Sequence, residues 1–258
     1  MNIKQYYKKT ASISLSASLA SLIPPFFLII YGIMIARDGR MVLIVLPFLV
    51  YSFFCYQYYL VCDRRSKSII ENPTEHIKMN QTLLNADHLL IHFLPAPSLR
   101  LLFFSHEGQL LGELKEMKQL SFKWFLPRFL DKFFEKRYGL YDETNNLIAT
   151  YIVNKSQINV MDKNKKIVNL INHMESERRS ESIFESSREE IVVKRSLLFM
   201  DYQFFHNQKR VGRLQKGMMP VEWERKIKDP NTPVLSFETK EDEGLKITIL
   251  AILSKILH

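Results

Sequence analysis

The sequence predicts an N-terminal two-helix transmembrane hairpin followed by a mainly antiparallel β-barrel closed around a buried, apolar C-terminal helix. Three observations carry this expectation. Two uncharged apolar runs, Leu19–Ala36 and Met41–Val61, lie close together near the N-terminus. Four later stretches repeat a strand, a polar turn and a second strand. Then, within Leu245–Leu257, Ile247–Leu253 is apolar at nearly every position.

The runs set the anchor. Leu19–Ala36 holds no charge over 18 residues and Met41–Val61 none over 21. At the helical rise these reach ~27 and ~31 Å, close to the ~30 Å hydrocarbon core of a bilayer. Pro24, Pro25 and Pro47 are kinks that a transmembrane helix tolerates. Tyr51, Tyr56, Tyr58 and Tyr59 gather toward the end of the second run, where amphipathic rings suit the interface. Only Arg37-Asp38-Gly39-Arg40 separates the runs. So short a connection forces an antiparallel hairpin with both of its ends on one side. Three lysines precede the first span and three basic residues follow the second, against two arginines and Asp38 in the loop. The positive-inside rule then points both ends to the cytoplasm, the expected location being a multi-pass cell-membrane protein. A cleaved signal peptide has a shorter apolar region and is not followed by a second span.

The chain therefore divides into an anchor, residues 1–67, and a soluble domain, residues 68–258. Formal charge divides with it. Of the net +9, residues 1–67 carry +6, from eight basic and two acidic residues. The domain carries only +3, from 28 basic and 25 acidic. Basicity belongs to the membrane flanks, where anionic headgroups favour it, which argues against a nucleic-acid partner. Cys55 and Cys62 both lie in or beside the second run, so the domain has no disulfide framework. Cys62 at the membrane edge is a palmitoylation candidate, set against the simpler reading of a small apolar filler.

In the domain, the repeated pattern covers Leu101–Leu114, Tyr138–Ile152, Ile158–Ile171 and Tyr202–Leu214. The turns are expected at Glu107-Gly108, Asn145-Asn146, Lys163-Asn164 and Asn207-Gln208, residue types that accept φ > 0 or bond their own backbone. Further strands are expected at His88–Phe93, Glu190–Arg195 and Val234–Phe237. The charged stretch Glu175–Glu190 reads as a solvated loop or a short exposed helix. Glu241, Asp242 and Glu243 suit a helix N-terminus, and the helix Leu245–Leu257 is apolar on all sides. Thirteen residues reach only ~20 Å, too short to span a bilayer, so the helix belongs in a core.

The turn motifs LYDETNNLIATYIV and VMDKNKKIVNLI, followed by LSFETKEDEGLKITILAILSKIL, resemble the tubby C-terminal-like superfamily over about residues 85–258. That superfamily includes tubby proteins, phospholipid scramblases and LURP-one-related proteins. The resemblance implies a twelve-stranded barrel enclosing a hydrophobic C-terminal helix. Its functional reach is shorter: tubby proteins bind phosphoinositides, but their lipid-contact residues match no positions here. The cysteine-rich and calcium-linked features of eukaryotic scramblases are missing, and the anchor is N-terminal.

Candidate chemistry is sparse. His88 and His92 share a face whether the stretch is helix or strand, yet no third ligand completes a metal site in sequence. His76, His106, His173 and His206 are scattered and suit surface or turn roles. No Gly-x-Ser-x-Gly elbow, phosphate-cradling loop or cysteine nucleophile occurs in the domain, so neither an enzyme nor a cofactor is expected. The most suggestive stretch is Phe122–Arg137. Phe122, Phe125, Phe129 and Phe133 follow helical spacing, with Lys123, Arg128, Lys132 and Lys136 off that line. Together with Trp124, these basic residues would make membrane-interface contacts. The competing reading is a strand through Trp124-Phe125, then a helix opened by Pro127 whose phenylalanines pack on the barrel. The expected function is a non-enzymatic, membrane-anchored binding module whose partners are the bilayer itself and anionic headgroups or a membrane protein. The alternatives are an accessory subunit of a membrane complex and, third, a scramblase-like lipid mover.

Overall fold

Apolar period and turn chemistry organise the chain into two units, Met1–Asn72 and Pro73–His258. The computed structural model describes residues 1–32, 34, 41–69, 81–96, 98–117, 135–164, 166–175, 180–186, 190–196, 200–217, 219–238 and 242–257.

The first unit is a helical hairpin. Helix α1 (Ile3–Ser21) opens with a capping box: Gln5 N–H donates to Asn2 Oδ1 at 2.8 Å, and Asn2 N–H donates to Gln5 Oε1 at 3.1 Å. Helix α2 (Ile23–Tyr31) continues it past a break at Leu22, with Pro24 and Pro25 in its first turn, where missing N–H groups cost least. Helix α3 (Met41–Ser68) runs back along α1. The first helical stretch thus starts near residue 3, well before Leu19. Its opening turns are rich in Lys, Ser and Thr and do not register as apolar; the cap and the packing of Ile3, Tyr7, Ala11, Ser14 and Ser18 at helical spacing make them helix. Residues 3–31 and 43–68 are long and apolar enough to cross a membrane. At ~43 and ~39 Å both exceed the ~30 Å core, so each has about two turns to spare.

The second unit is a closed antiparallel barrel of twelve strands: β1 (His88–Phe93), β2 (Arg100–Phe104), β3 (Leu110–Glu116), β4 (Lys136–Asp142), β5 (Leu147–Val153), β6 (Gln157–Asp162), β7 (Ile167–Glu175), β8 (Glu181–Ser186), β9 (Glu190–Arg195), β10 (Asp201–His206), β11 (Lys209–Gln215) and β12 (Val234–Phe237). Each pairs with its sequence neighbours, and β1 closes the ring on β12 through His88↔Ser236, Leu89↔Leu235 and Leu90↔Val234. Strand β8 corrects the reading of Glu175–Glu190 as loop or exposed helix. Its alternation is masked by charge, because only Phe184 of the six residues must enter the core while Glu181 and Glu185 stay outside.

All odd strands begin at one end of the barrel, here the entry end, and all even strands end there. Helix α4 (Glu243–Ile256) follows β12 into this end. Ile249, Leu250, Ala251, Ile252 and Leu253 are buried with Leu89, Phe103, Leu114, Tyr138, Tyr151 and Phe204 of the wall in one core. Three contacts fix its position. Lys246 Nζ donates to Ala86 O at 3.1 Å at the entry end, and Tyr151 Oη donates to Ile247 O at 3.2 Å. Lys255 Nζ donates to Asn154 O at 3.3 Å and Lys155 O at 2.8 Å at the exit end.

The expected turn chemistry is present. Asn207 and Gln208 have φ of 50° and 63°, the two-residue turn whose twist matches the flanking strands. Gly108 (76°) and Asn145 (64°) take the same region in their turns. In the β4–β5 turn, Asp142 Oδ1 accepts from the backbone N–H of Thr144 at 2.9 Å and of Asn146 at 2.7 Å. Desolvation opposes ionisation of Asp142, but these bonds, led by that from Asn146, hold its carboxyl below the ordinary carboxylate value.

Candidate membrane-facing and interaction surfaces

From Thr10 to Ser18 the buried stripe of α1 is small and polar, whereas the outer surface of the hairpin is bulky and apolar. Ser18 and Ser52 meet between α1 and α3, each hydroxyl within 3.0 Å of the other residue's carbonyl and of the other hydroxyl. Small residues let the backbones approach, and the paired hydroxyls satisfy one another without water. Outside, Phe26, Phe27, Leu43, Phe53 and Phe54 are exposed, Phe27 to 64%. A surface so apolar on helices of this length matches the solvent properties of lipid. Toward the far end of α3, the Arg65 guanidinium lies 6.0 Å from the Tyr7 ring centroid. Cys62 is fully buried, which withdraws its thiol from an acylating enzyme and favours the filler role.

Of the five cationic and aromatic residues expected at a membrane interface, Lys123, Trp124, Arg128 and Lys132 lie outside the described residues. Lys136 lies within them and departs from its expected place. It is the first residue of β4, not part of a helix, and is only 4% exposed. Two positions before Tyr138, it shares the inward face of the strand. The strand pattern KRYGLY competes with the phenylalanine periodicity at this point and wins.

His88 and His92 do share one face of β1, the outer one, but ~13 Å separates positions four apart along a strand. His88 Nδ1 lies 3.0 Å from Ser236 Oγ, while His92 is buried edge-on against Phe104, with ring centroids 5.3 Å apart. His173 stacks on Phe184, with ring centroids at 4.8 Å, and His206 sits beside its turn. Among the described residues no group of three His, Cys, Asp or Glu side chains assembles as for a metal ion.

The sequence reading missed an external strap. Strands β1 and β2 are buried on both faces: Leu89, Ile91, Leu101 and Phe103 line the core, and Leu90, Leu102 and Phe104 on the opposite face are also fully buried. The connection from β11 to β12 folds back outside the wall, with a short 3-10 helix at Val221–Arg225. Its Trp223 ring lies 5.5 Å from the His88 ring and 5.9 Å from that of His106, nearly parallel to the latter at 30°. Lys226 Nζ pairs with Glu107 Oε2 at 2.5 Å, and Ile227 is fully buried. The strap rests on β1 and the β2–β3 turn, beside the β1–β12 seam that three residue pairs close.

Electrostatic pairs brace the outer wall. Arg213 forks onto Asp201 with two 2.8 Å bonds, which hold the Asp201 carboxyl below its usual value and raise the Arg213 guanidinium. Arg100 pairs with Glu113, and Arg210 with Glu238. At the exit end burial pushes the Lys255 ammonium down to about 8 although two carbonyls accept from it.

No protein-family model matches this chain, and no curated protein matches its sequence. Among solved structures, an X-ray structure of an Arabidopsis thaliana protein aligns at 11% identity with a TM-score of 0.35, covering 66% of this chain and 92% of that one.

Proposed function

We propose that this chain is a non-enzymatic binding module held at the cell membrane. In this reading the hairpin crosses the bilayer twice, leaving the N-terminus and the barrel in the cytoplasm, and the barrel contacts lipid headgroups or a membrane protein. The observation that carries it is the hairpin's inverted design, with Ser18 and Ser52 bonded inside and Phe26, Phe27, Phe53 and Phe54 outside. Charge supports the orientation, since Lys4, Lys8 and Lys9 on α1 and Arg64, Arg65 and Lys67 on α3 mark the same end of the hairpin. The twelve-stranded barrel around α4 supports the resemblance to the tubby-like superfamily, whose tubby members bind phosphoinositides. A filled barrel is also a scaffold for surface binding more readily than for a buried reaction.

Membrane extraction and topology labelling test this reading. The full chain stays with carbonate-washed membranes, and a Gly39→Cys variant reacts with an impermeant maleimide added outside intact cells. Release of the chain by carbonate overturns the anchor; labelling only after lysis overturns the orientation.

A further inference from the structure

Four hairpins of the barrel are built alike. β2–β3, β4–β5, β6–β7 and β10–β11 each turn at the entry end, and each gains one extra residue on its second strand just after the turn. The extra residues are Leu111, Ile148, Val168 and Val211, aliphatic in every case. A bulge re-aims the side chains beside it. In three hairpins that sends the aliphatic group to the core: Leu111 and Val211 are 3% and 2% exposed, and Ile148 packs against the same cluster. In β6–β7 it does the opposite. Val168 is 67% exposed and its neighbour Ile167 62%, with Leu170 exposed two positions further along.

The β6–β7 turn is also cationic. Lys163 and Lys166 are exposed, while Asp162 is engaged inside the turn, accepting from the Lys163 backbone N–H at 2.6 Å. Exposed aliphatic side chains beside exposed lysines complement one kind of surface, an anionic lipid bilayer, in which the chains enter between headgroups and the ammonium groups meet phosphates. The chain itself favours this occupant over an acidic protein. Leu83 and Ala86, which lead into β1, sit at the entry end, and Ala86 O receives Lys246 there. Thirteen peptide links join Ser68 of α3 to Gln81 and span at most ~45 Å of chain, and the chain enters the barrel at the end that carries the turn.

We propose that the β6–β7 hairpin is a second membrane contact, in which Ile167 and Val168 enter the headgroup–acyl boundary of an anionic bilayer while Lys163 and Lys166 pair with its phosphates. This rests on the anchored reading above. The bulge, which elsewhere completes the core, here supplies a wedge.

The test uses the full chain, with Cys55 and Cys62 replaced by Ala, reconstituted into lipid nanodiscs. A fluorophore is placed at Asn164→Cys, which leaves the wedge intact, or at Glu143→Cys on the neighbouring turn as a control. A headgroup spin-labelled lipid quenches the fluorophore at 164 in phosphatidylserine-containing discs, and far less in pure phosphatidylcholine. The control position stays unquenched. Neutralising the turn with Lys163→Gln and Lys166→Gln lowers the contact equilibrium about 25-fold, or roughly five-fold per lysine. Ile167→Ser with Val168→Ser also lowers it, without altering lipid-charge preference. Equal quenching in both lipids, no quenching at 164, or indifference to these substitutions overturns the wedge while leaving the anchor standing. Failure of the chain to enter discs overturns the anchor reading and the wedge together.

Discussion

The Tyr151 hydroxyl, on the inner face of β5, donates to the Ile247 carbonyl on α4 at 3.2 Å. It ties the wall of the barrel to the backbone of the helix that fills it. The phenol is wholly buried, and desolvation raises its ionisation far above the usual tyrosine range. Tyr151→Phe removes only the bond and is expected to cost about 1 kcal/mol. Tyr151→Ala also opens a cavity against α4 and is expected to cost about 3–5 kcal/mol. Thermal unfolding of the two variants, followed by near-ultraviolet circular dichroism, separates bond from packing.

Lys255 predicts a rise of stability with alkaline pH. Its folded value near 8 lies below the ordinary 10.5, so the unfolded chain binds more protons between the two. The destabilisation is full below pH 8 and fades as pH climbs from about 8 to 10.5. Lys255→Met is expected to flatten that part of the profile, measured as the unfolding midpoint against pH. A slope of the same size in the variant would refute the assignment.

Trp223 fastens the strap to β1 and the β2–β3 turn through His88 and His106. Trp223→Ala is expected to loosen residues 219–233 by removing the ring contacts to His88 and His106, at a cost of about 2–3 kcal/mol given its partial burial. Hydrogen exchange reads this directly: β1 and β12 amides lose protection, while β5 and β6 keep theirs.

In the hairpin, the Ser18–Ser52 pair suits a double-mutant cycle. Interhelical hydrogen bonds in membranes couple by about 0.6 kcal/mol, and a coupling of that order is expected between Ser18→Ala and Ser52→Ala. Unfolding the full chain in lipid-like micelles measures it. Zero coupling would leave the two hydroxyls with no mutual role.

Sequence alone conveyed much of this architecture because its signals were local. β1, β9 and β12 fall on His88–Phe93, Glu190–Arg195 and Val234–Phe237 as expected, since apolar alternation and flanking turns coincide there. Where the cause was non-local, the reading failed. β8 has one obligatory core residue, Phe184, and exists because β7 and β9 flank it. The first half of α1 is helical through its cap and its partner α3, not through hydropathy. Trp223 sits in a stretch with no period, yet a signal was available: Leu90, Leu102 and Phe104 occupy strand positions that would face water unless something covered them. For the candidate surfaces, the lysines of the β6–β7 turn were visible, but the outward aim of Ile167 and Val168 depends on a bulge. Only paired strands define such a bulge.

The filler of the barrel has a further consequence. Helix α4 follows β12, so during synthesis every strand emerges before the segment its inner face was built to meet. Until then Phe103, Tyr138, Tyr151 and Phe204 line a hollow, and their closure waits on contacts reaching across the whole domain. By that stage α1–α3, made first, have already had time to settle. Folding therefore has an early part, the helical hairpin, and a late one, the sealing of the barrel's interior by α4. The interval between them is when aggregation and chaperone capture compete for the unfinished barrel.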